Sequence, residues 1–391
     1  MNNYGIYLYS LSNYNVLTNN IVYNNSGDGV YLYKSTNNNI TSNIVYNNSD
    51  SGIYVYSSNN VLTNNTAYSN DYGIYLRSAI SNNNNLTSNT AYNNSYYGIY
   101  LWQSSNNNLT NNTANENSNH GIYLYSSNNN MLSNNIALNN QYGGIYLEWY
   151  SSYNNLTGNI INANSNYGIY LSSSSSNLIY NNYFNNANNA YDNGNNIWNI
   201  TKTAGTNIIG GEYLGGNYWS DYAGSDTDGD GLGDTMLPYN SSSNIQNGGD
   251  YLPLVKFAPS IFDTGPGTYP SIMGKHEGTI RSNKKIVVHK MYMYPCAGTG
   301  GHTEYVWFYG NGLDVNKTWN GYTGDYHNIS FDPPITLHAN TTYNYEIRTG
   351  SYPQIIHERS LPRANGTINC TQFTDANGRA YDNWIPAIKL E

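Results

Sequence analysis

The residues best suited to chemistry lie in an acidic loop at residues 226–234, Asp-Thr-Asp-Gly-Asp-Gly-Leu-Gly-Asp. Three carboxylates at alternate positions, with Gly231 where the loop must turn sharply, can surround a hard cation with oxygen ligands, so the pattern predicts a calcium site. The twelfth position, a glutamate in an EF-hand, is Leu237 here, and Asp221 or Asp250 could complete the set. The alternative is a solvated acidic loop. The predicted ligands are Asp226, Asp228, Asp230, the carbonyl of Leu232, and Asp234.

Histidines offer a second kind of metal ligand, and six of the seven follow residue 259. His302 precedes Glu304 by two residues on one predicted strand face, which suits a transition-metal site if other histidines converge there. Those available are His276, His327 and His357. The alternative is a set of scattered polar or turn histidines.

The chain has two cysteines, Cys296 and Cys370, and both lie in the same C-terminal region. An even pair in a secreted β-rich domain predicts one disulfide bond. The bond would close a loop of 370 − 296 = 74 residues.

A sequence repeat accounts for most of the secondary structure predicted in the N-terminal half of the chain. A glycine followed by apolar-Tyr-apolar recurs every 21 to 25 residues, with an apolar position and an Asn-x-(Ala/Ile/Val) element in phase. Asn, Ser, Thr and Tyr are poor helix formers, so the period indicates a parallel β-helix rather than leucine-rich repeats. Alternation along each strand places Ile6 and Leu8 inward and Tyr7 outward, and stacked Asn side chains would form amide ladders. The repeat glycines are Gly5, Gly29, Gly52, Gly73, Gly98, Gly121, Gly144 and Gly168.

Coils of the form GIYLYSSNNNxLTNN resemble the NosD-type right-handed parallel β-helix, also known as carbohydrate-binding and sugar-hydrolase repeats. Residues 216–222, 226–234 and 250–255 resemble the end of such helices in archaeal surface proteins. The resemblance covers residues 1–256 and implies the fold, whereas this repeat serves many functions. NosD itself is linked to copper handling, but the coils contain one histidine, His120, and no cysteine, so the sequence does not predict copper delivery.

The outward tyrosines of the coils stack in one column. Three interpretations stay open: a sugar-stacking platform, a face that packs against another chain, or a ladder that only stabilises the sheet. Asp28, Asp50 and Asp71 lie just before their coil glycines without a basic residue in that phase, which predicts solvated turn residues and no catalytic site. The predicted ligand or assembly face is Tyr7, Tyr31, Tyr54, Tyr75, Tyr100, Tyr123, Tyr146 and Tyr170.

After residue 258 the pattern changes to longer strand-like runs separated by Gly and Pro turns. These runs predict a β-sandwich of the jelly-roll type. The predicted domains are therefore a β-helix of eight to nine coils at 1–210, a closing segment with the acidic loop at 211–258, and the sandwich at 259–391.

Composition excludes several classes of protein. The net charge of −9, with 15 basic residues, argues against a nucleic-acid partner, and no apolar run is long enough to span a membrane. Only 10% of residues are charged, and 44 are tyrosine, so the chain is not disordered. Glycosylation sequons weakly support export; examples begin at Asn47, Asn85, Asn108, Asn316, Asn328 and Asn369.

These observations predict a non-enzymatic extracellular structural protein, a subunit of an archaeal surface layer, sheath or filament. Because Met1 begins within a coil, we expect either a fragment of a longer protein or a bare end that docks head-to-tail on another subunit. The alternative is a carbohydrate-binding or carbohydrate-processing cell-surface protein. A third possibility is a metal-binding module centred on His302 and Glu304.

Overall fold

The computed structural model describes residues 3–256, 261–319, 321 and 327–391. The chain divides into two compact units, residues 1–256 and 257–391. The predicted boundary at Pro259 and the predicted start at Met1 lie outside the described residues. No helix in the described ranges is long and apolar enough to cross a membrane.

The first unit is a right-handed β-helix in which each of eight coils adds one strand to each of three parallel sheets. The first four coils contain β1 (Ile6–Tyr9), β2 (Val16–Thr18), β3 (Ile21–Tyr23), β4 (Val30–Tyr33), β5 (Asn39–Thr41), β6 (Ile44–Tyr46), β7 (Ser51–Tyr56), β8 (Val61–Thr63), β9 (Thr66–Tyr68), β10 (Tyr72–Arg77), β11 (Asn85–Thr87) and β12 (Thr90–Tyr92). The last four contain β13 (Ile99–Trp102), β14 (Asn108–Thr110), β15 (Thr113–Asn115), β16 (His120–Tyr125), β17 (Met131–Ser133), β18 (Ile136–Leu138), β19 (Gly143–Glu148), β20 (Asn155–Thr157), β21 (Ile160–Asn162), β22 (Tyr167–Ser172), β23 (Leu178–Tyr180) and β24 (Tyr183–Asn185).

The three sheets follow the repeat that the sequence predicts. Sheet A takes the first strand of every coil and ends with β25 (Asn188–Asp192), whereas sheet B takes the second strand of every coil. Sheet C takes the third strand and ends with β28 (Tyr218–Trp219), after a small hairpin of β26 (Thr203–Ala204) and β27 (Tyr213–Leu214). The all-β fold and the β-helix are confirmed.

Alternation along the strands of sheet A explains the core. In β16, Ile122 and Leu124 are fully buried and pair with Ile145 and Leu147 of the next coil. The repeat glycine that opens this strand pattern is required by packing, because a Cβ on Gly73 would lie 2.5 Å from the Gly98 carbonyl oxygen. Stacked aliphatic side chains therefore form one continuous core along the coils.

Buried asparagines form three ladders at the corners between the strands. In the ladder between sheets B and C, the Asn135 side-chain oxygen accepts hydrogen bonds from the backbone N–H and the side-chain amide of Asn112, at 2.9 and 3.0 Å. Asn135 in turn donates to Asn159 of the next coil and to the carbonyl of Leu109. Each amide therefore satisfies buried backbone groups of its neighbours, which accounts for much of the asparagine content.

Two buried carboxylates lie at the closing end of the β-helix. Asp250 is fully buried and accepts hydrogen bonds from the Asn217 backbone N–H, from Trp219 Nε1 and from the Leu252 N–H, at 2.7 to 3.0 Å. Asp192 is also fully buried and accepts from Trp198 Nε1 at 3.1 Å. The two tryptophans pack on the core, so the carboxylates tie the closing segment to the last coil.

The second unit consists of antiparallel sheets that enclose a separate core. A four-stranded sheet in the order β29-β41-β31-β34 accompanies a seven-stranded one that includes β33-β32-β35-β30-β38-β37, with β39 paired to β38, and β36 pairs with β40. This arrangement is consistent with the predicted sandwich. Its strands are β29 (Phe262–Asp263), β30 (Gly274–Ser282), β31 (Ile286–Met293), β32 (His302–Gly310), β33 (Leu313–Thr318), β34 (Asn328–Leu337), β35 (Thr342–Gly350), β36 (Ile355–Ile356), β37 (Ser360–Arg363), β38 (Gly366–Asp375), β39 (Ala380–Tyr381), β40 (Ile385–Pro386) and β41 (Ile388–Leu390).

The predicted disulfide is not present in the structure, since Cys296 and Cys370 are free thiols. Cys296 follows β31 and its Sγ lies 3.6 Å from the carbonyl oxygen of Pro353. Cys370 lies in β38 and packs beside the small apolar cluster around Trp384. The two sulfurs therefore have different packing partners, a separation that their spacing in the sequence does not reveal.

Candidate functional site

The outward face of sheet A carries the predicted tyrosine column, and the structure extends it by one residue, Tyr191. Neighbouring rings stack at 4.6 Å between Tyr75 and Tyr100 and at 4.8 Å between Tyr146 and Tyr170. The column is not an evenly exposed strip. Tyr7 is 41% exposed but Tyr146 is only 3% exposed.

A second column explains this burial. It lies three residues before each tyrosine of the first column, and its members that carry a ring pack against the tyrosine of their own coil. These residues do not share one type, which is why the sequence analysis missed them as a column. They are Tyr72, Tyr97, His120, Gly143 and Tyr167.

His120 is the most unusual member of that second column. Its ring lies between the rings of Tyr97 and Tyr146, at centroid distances of 5.3 and 3.7 Å. The side chain is 7% exposed, and burial lowers its pKa to about 3, so the imidazole is neutral at physiological pH. Its Nδ1 atom and the Tyr146 hydroxyl are buried without a hydrogen-bond partner in the described part of the chain.

Gly143 makes room for this arrangement. It pairs with His120 in the register of β16 and β19. A Cβ on Gly143 would lie 1.9 Å from a ring carbon of Tyr146, so any larger residue would displace that ring. Because Gly143 has no side chain, the Tyr146 ring occupies this space and stacks on the ring of His120.

Glu148 supplies a carboxylate two residues after Tyr146, and its Oε2 accepts a hydrogen bond from the Tyr123 hydroxyl at 2.7 Å. Burial and this hydrogen bond raise the pKa of Tyr123 well above its ordinary value, so the phenol keeps its proton. The pair joins two coils, because Tyr125 and Glu148 are opposite each other in the strand register.

These side chains surround an open cavity of about 610 Å³, a volume within the range of small-molecule sites. His120, Glu148 and the polar residues Ser118, Asn119 and Asn166 line it together with seven tyrosines. The tyrosines are Tyr97, Tyr123, Tyr142, Tyr146, Tyr167, Tyr170 and Tyr191.

The three aspartates predicted to be solvated turn residues are not all solvated. Asp28 is only 6% exposed, accepts a hydrogen bond from the Ser51 N–H at 2.9 Å, and has a pKa raised to about 7 by burial and by the charge of Asp50. A basic side chain does act on this group, because the charge of Arg77 opposes the rise in the pKa of Asp50. Arg77 was missed because it lies at the other end of its strand.

The predicted calcium loop brings part of its ligand set together. Oxygen atoms of Asp226, Asp228 and Asp234 lie within 4.8 Å of one another. Asp230 instead pairs with Lys202. Asp221 accepts hydrogen bonds from Tyr239 and Asn189, and Asp250 is fully buried, so neither completes the set. The structure does not test the carbonyl of Leu232 as a ligand, and calcium binding by this loop stays a prediction.

If the loop binds calcium, adding the ion will stabilise the first unit. At free calcium about 100 times the dissociation constant, the gain in unfolding free energy is about 3 kcal/mol. Differential scanning calorimetry with and without chelator measures this gain. Asp228→Asn removes a carboxylate that makes one hydrogen bond within the loop, and it is expected to abolish the shift. Equal melting temperatures of the wild-type protein with calcium and with chelator would contradict the prediction.

The structure brings His302 and Glu304 close together over Gly350. A Cβ on Gly350 would lie 2.6 Å from His302 Nε2 and 2.7 Å from Glu304 Oε1. The strand register shifts between Thr303 and Tyr305. Because of this bulge, His302 is buried and Glu304 is exposed, although strict alternation predicts that both side chains lie on the same face of the strand. Within the described ranges, no third His, Cys, Asp or Glu lies close enough to complete a metal site with them.

Two protein families match the chain. The family described as "Right handed beta helix region" matches residues 1–84, and the family described as "Periplasmic copper-binding protein (NosD)" matches residues 78–224. The later coils therefore match NosD and the earlier coils match the general β-helix model, which confirms the resemblance predicted from the repeats. No curated protein sequence matches the chain.

Several solved structures align with the chain, with TM-scores below 0.5. The mannuronan C-5 epimerase AlgE6 A-module of Azotobacter vinelandii is 20% identical with a TM-score of 0.46, over 48% of this chain and 57% of that one. The periplasmic alginate epimerase AlgG is 25% identical with a TM-score of 0.37, over 45% and 48%. The enzymatically active domain of bacteriophage CBA120 tailspike protein 2 is 11% identical with a TM-score of 0.36, over 99% and 73%. The chain thus spans about half the length of the epimerases.

These comparisons contradict the prediction that the chain is not an enzyme, because the similar structures are themselves epimerases and an enzymatically active tailspike domain. We therefore withdraw that prediction. Copper does not fit the residues of the NosD-type coils, since positions 78–224 contain one histidine, one methionine and no cysteine, whereas copper sites use several imidazole or sulfur ligands.

Proposed function

We propose that the NosD-type β-helix is a carbohydrate-binding unit of an extracellular protein and holds a glycan in the cavity around His120. The observation that carries this proposal is a cavity lined by seven tyrosines, with two buried polar atoms in its wall that have no partner among the described residues, His120 Nδ1 and the Tyr146 hydroxyl. Of the two functions predicted from the sequence, this cavity supports the carbohydrate-directed one.

The chemistry of the walls suits a sugar. The exposed ring of Tyr142 offers a flat apolar surface for the C–H face of a pyranose, while the tyrosine hydroxyls and the amides of Asn119 and Asn166 suit its hydroxyl groups. A buried polar atom without a partner is unfavourable by about 1–3 kcal/mol. A ligand hydroxyl that bonds His120 Nδ1 or the Tyr146 hydroxyl would recover this energy.

Carbohydrate processing is a second proposal, and the carboxylate of Glu148 is the group that favours it. Burial lowers the pKa of His120 to about 3 and raises that of Tyr123 well above its ordinary value, so neither side chain exchanges a proton readily near neutral pH. Glu148, whose Oε2 accepts a hydrogen bond from the Tyr123 hydroxyl, is therefore the residue of the cavity that we assign to proton transfer on a bound glycan. Incubation of glycans with wild-type protein and with Glu148→Gln, followed by product analysis, tests this activity, which the variant is expected to lose.

Replacing a ring of the cavity should weaken glycan binding. Tyr142→Ala removes the exposed ring at the side of the cavity and is expected to reduce affinity about tenfold or more. Tyr68→Ala is the matched control, because Tyr68 stacks between Tyr46 and Tyr92 on sheet C, away from the cavity. A glycan array followed by isothermal titration calorimetry measures both variants. If they bind glycans equally well, or if the wild-type protein binds none, the proposal is wrong.

A further inference from the structure

We propose that the cavity around His120 selects a positively charged amino sugar, so that the glycan carries free ammonium groups. This inference rests on the proposed function and names the substrate class of the same site. It follows from the charge, the rings and the unpartnered atoms of the cavity.

The charge of the cavity is negative. Among the described residues that line it, Glu148 is the one charged side chain, and none is Lys or Arg. Glu148 forms no ion pair among the described residues, and its recorded hydrogen bond comes from the neutral Tyr123 hydroxyl. A carboxylate in a partly dehydrated cavity favours a cationic ligand and disfavours an anionic one.

The rings add to this preference. The π faces of aromatic rings attract cations, and cages of several rings recognise ammonium groups. The rings of Tyr146 and Tyr170 are stacked between their neighbours, so their faces are occupied. Tyr142 is 48% exposed and lies at the side of the cavity, edge-on to His120, and its ring is the one that a cation can reach.

The unpartnered atoms match the donors of an ammonium group. An ammonium offers three N–H donors and no acceptor. The cavity offers the Glu148 carboxylate at its surface. Just behind that surface are two acceptors without a partner among the described residues, the Tyr146 hydroxyl oxygen and, in the tautomer protonated at Nε2, His120 Nδ1, which an ammonium group reaches when the rings above them shift. Because burial keeps His120 neutral, the imidazole does not repel the cation.

The rest of the outward face of sheet A also carries net negative charge. Asp50 and Asp71 lie in coils nearer the N-terminus, as does Asp28, whose pKa of about 7 leaves it partly ionised at neutral pH. The guanidinium of Arg77 opposes them, and its carbon lies 4.4 Å from the Trp102 ring centroid. A negatively charged surface raises the local concentration of cationic glycans and repels polyuronates.

Isothermal titration calorimetry with three oligosaccharides of equal length tests the inference: glucosamine oligomers, N-acetylglucosamine oligomers and oligomannuronate. We expect the glucosamine oligomer to bind the wild-type protein about tenfold or more tighter than the other two. Glu148→Gln keeps an acceptor for Tyr123 but removes the charge, and it is expected to abolish most of that preference. Glu116→Gln is the matched control, because Glu116 is exposed and lies outside the cavity.

The outcomes separate the two proposals. Equal affinity for the three oligosaccharides, or a preference that survives Glu148→Gln, overturns the amino-sugar inference while carbohydrate binding stands. Absence of binding to any glycan overturns both. Choline and a lysine peptide, titrated alone, must bind at least tenfold more weakly than the amino sugar. Equal affinity would assign the cavity to cationic ligands without sugar and overturn the inference. Circular dichroism of each variant confirms that it is folded.

Discussion

Asn135→Ala is expected to lower the free energy of unfolding by about 2–6 kcal/mol, because it breaks a buried ladder in the middle of the β-helix. The backbone N–H of Asn112 loses its acceptor and the carbonyl of Leu109 loses its donor. Both groups are buried between coils, where water cannot replace the missing amide. Chemical denaturation followed by tyrosine fluorescence measures the change.

Asn134→Gly is the matched control for this prediction. Asn134 is exposed and has a positive φ of 55°, a conformation that glycine adopts without strain. This change is expected to alter the unfolding free energy by less than about 1 kcal/mol. If the two variants are equally stable, the ladders contribute little and the aliphatic core alone holds the coils together.

Asp250→Ala is expected to lower the unfolding free energy by about 3 kcal/mol or more, since three buried donors lose their acceptor at once. They are the N–H groups of Asn217, Trp219 and Leu252. The loss should appear at the closing segment, so that hydrogen exchange rises at residues 217–219 before it rises in the coils. Asp263→Ala is the control, because Asp263 is a half-buried aspartate in the other unit. Unchanged exchange at residues 217–219 would contradict the prediction.

The same carboxylate gives stability a pH dependence of known sign. Burial raises the pKa of Asp250 to about 6, above its unfolded value near 4, so the native state binds the proton more tightly. Its contribution to stability is therefore fully present below about pH 4 and is lost as the pH rises through about 6. Asp28, with a pKa raised to about 7, acts in the same direction. The melting temperature of the wild-type protein should accordingly fall between pH 5 and pH 8, and Asp28→Asn should reduce that fall.

The period of the sequence was enough to predict the coils. Each glycine, inward aliphatic pair and turn asparagine recurs because every coil packs on the next coil in the same way. The alternation of Ile6, Tyr7 and Leu8 within one strand can be recognised without knowing which strands lie beside it. The outward tyrosine column and the asparagine ladders follow from the same period. The β-helix was therefore predictable from composition and spacing, whereas NosD entered through the resemblance of the repeat motif to that family.

Only the tertiary structure decided which part of that face is a site. His120 and Glu148 are separated by 28 residues, and their placement in one cavity depends on the stacking of two coils. The cavity also requires a glycine at position 143 beside Tyr146, and an absent side chain leaves no signal in a pattern of repeats. The same limit applies to the cysteines, whose packing partners are distant in sequence. The period of the sequence predicts the features that all coils share, whereas the proposed site depends on residues that occur in single coils, namely His120, Gly143 and Glu148.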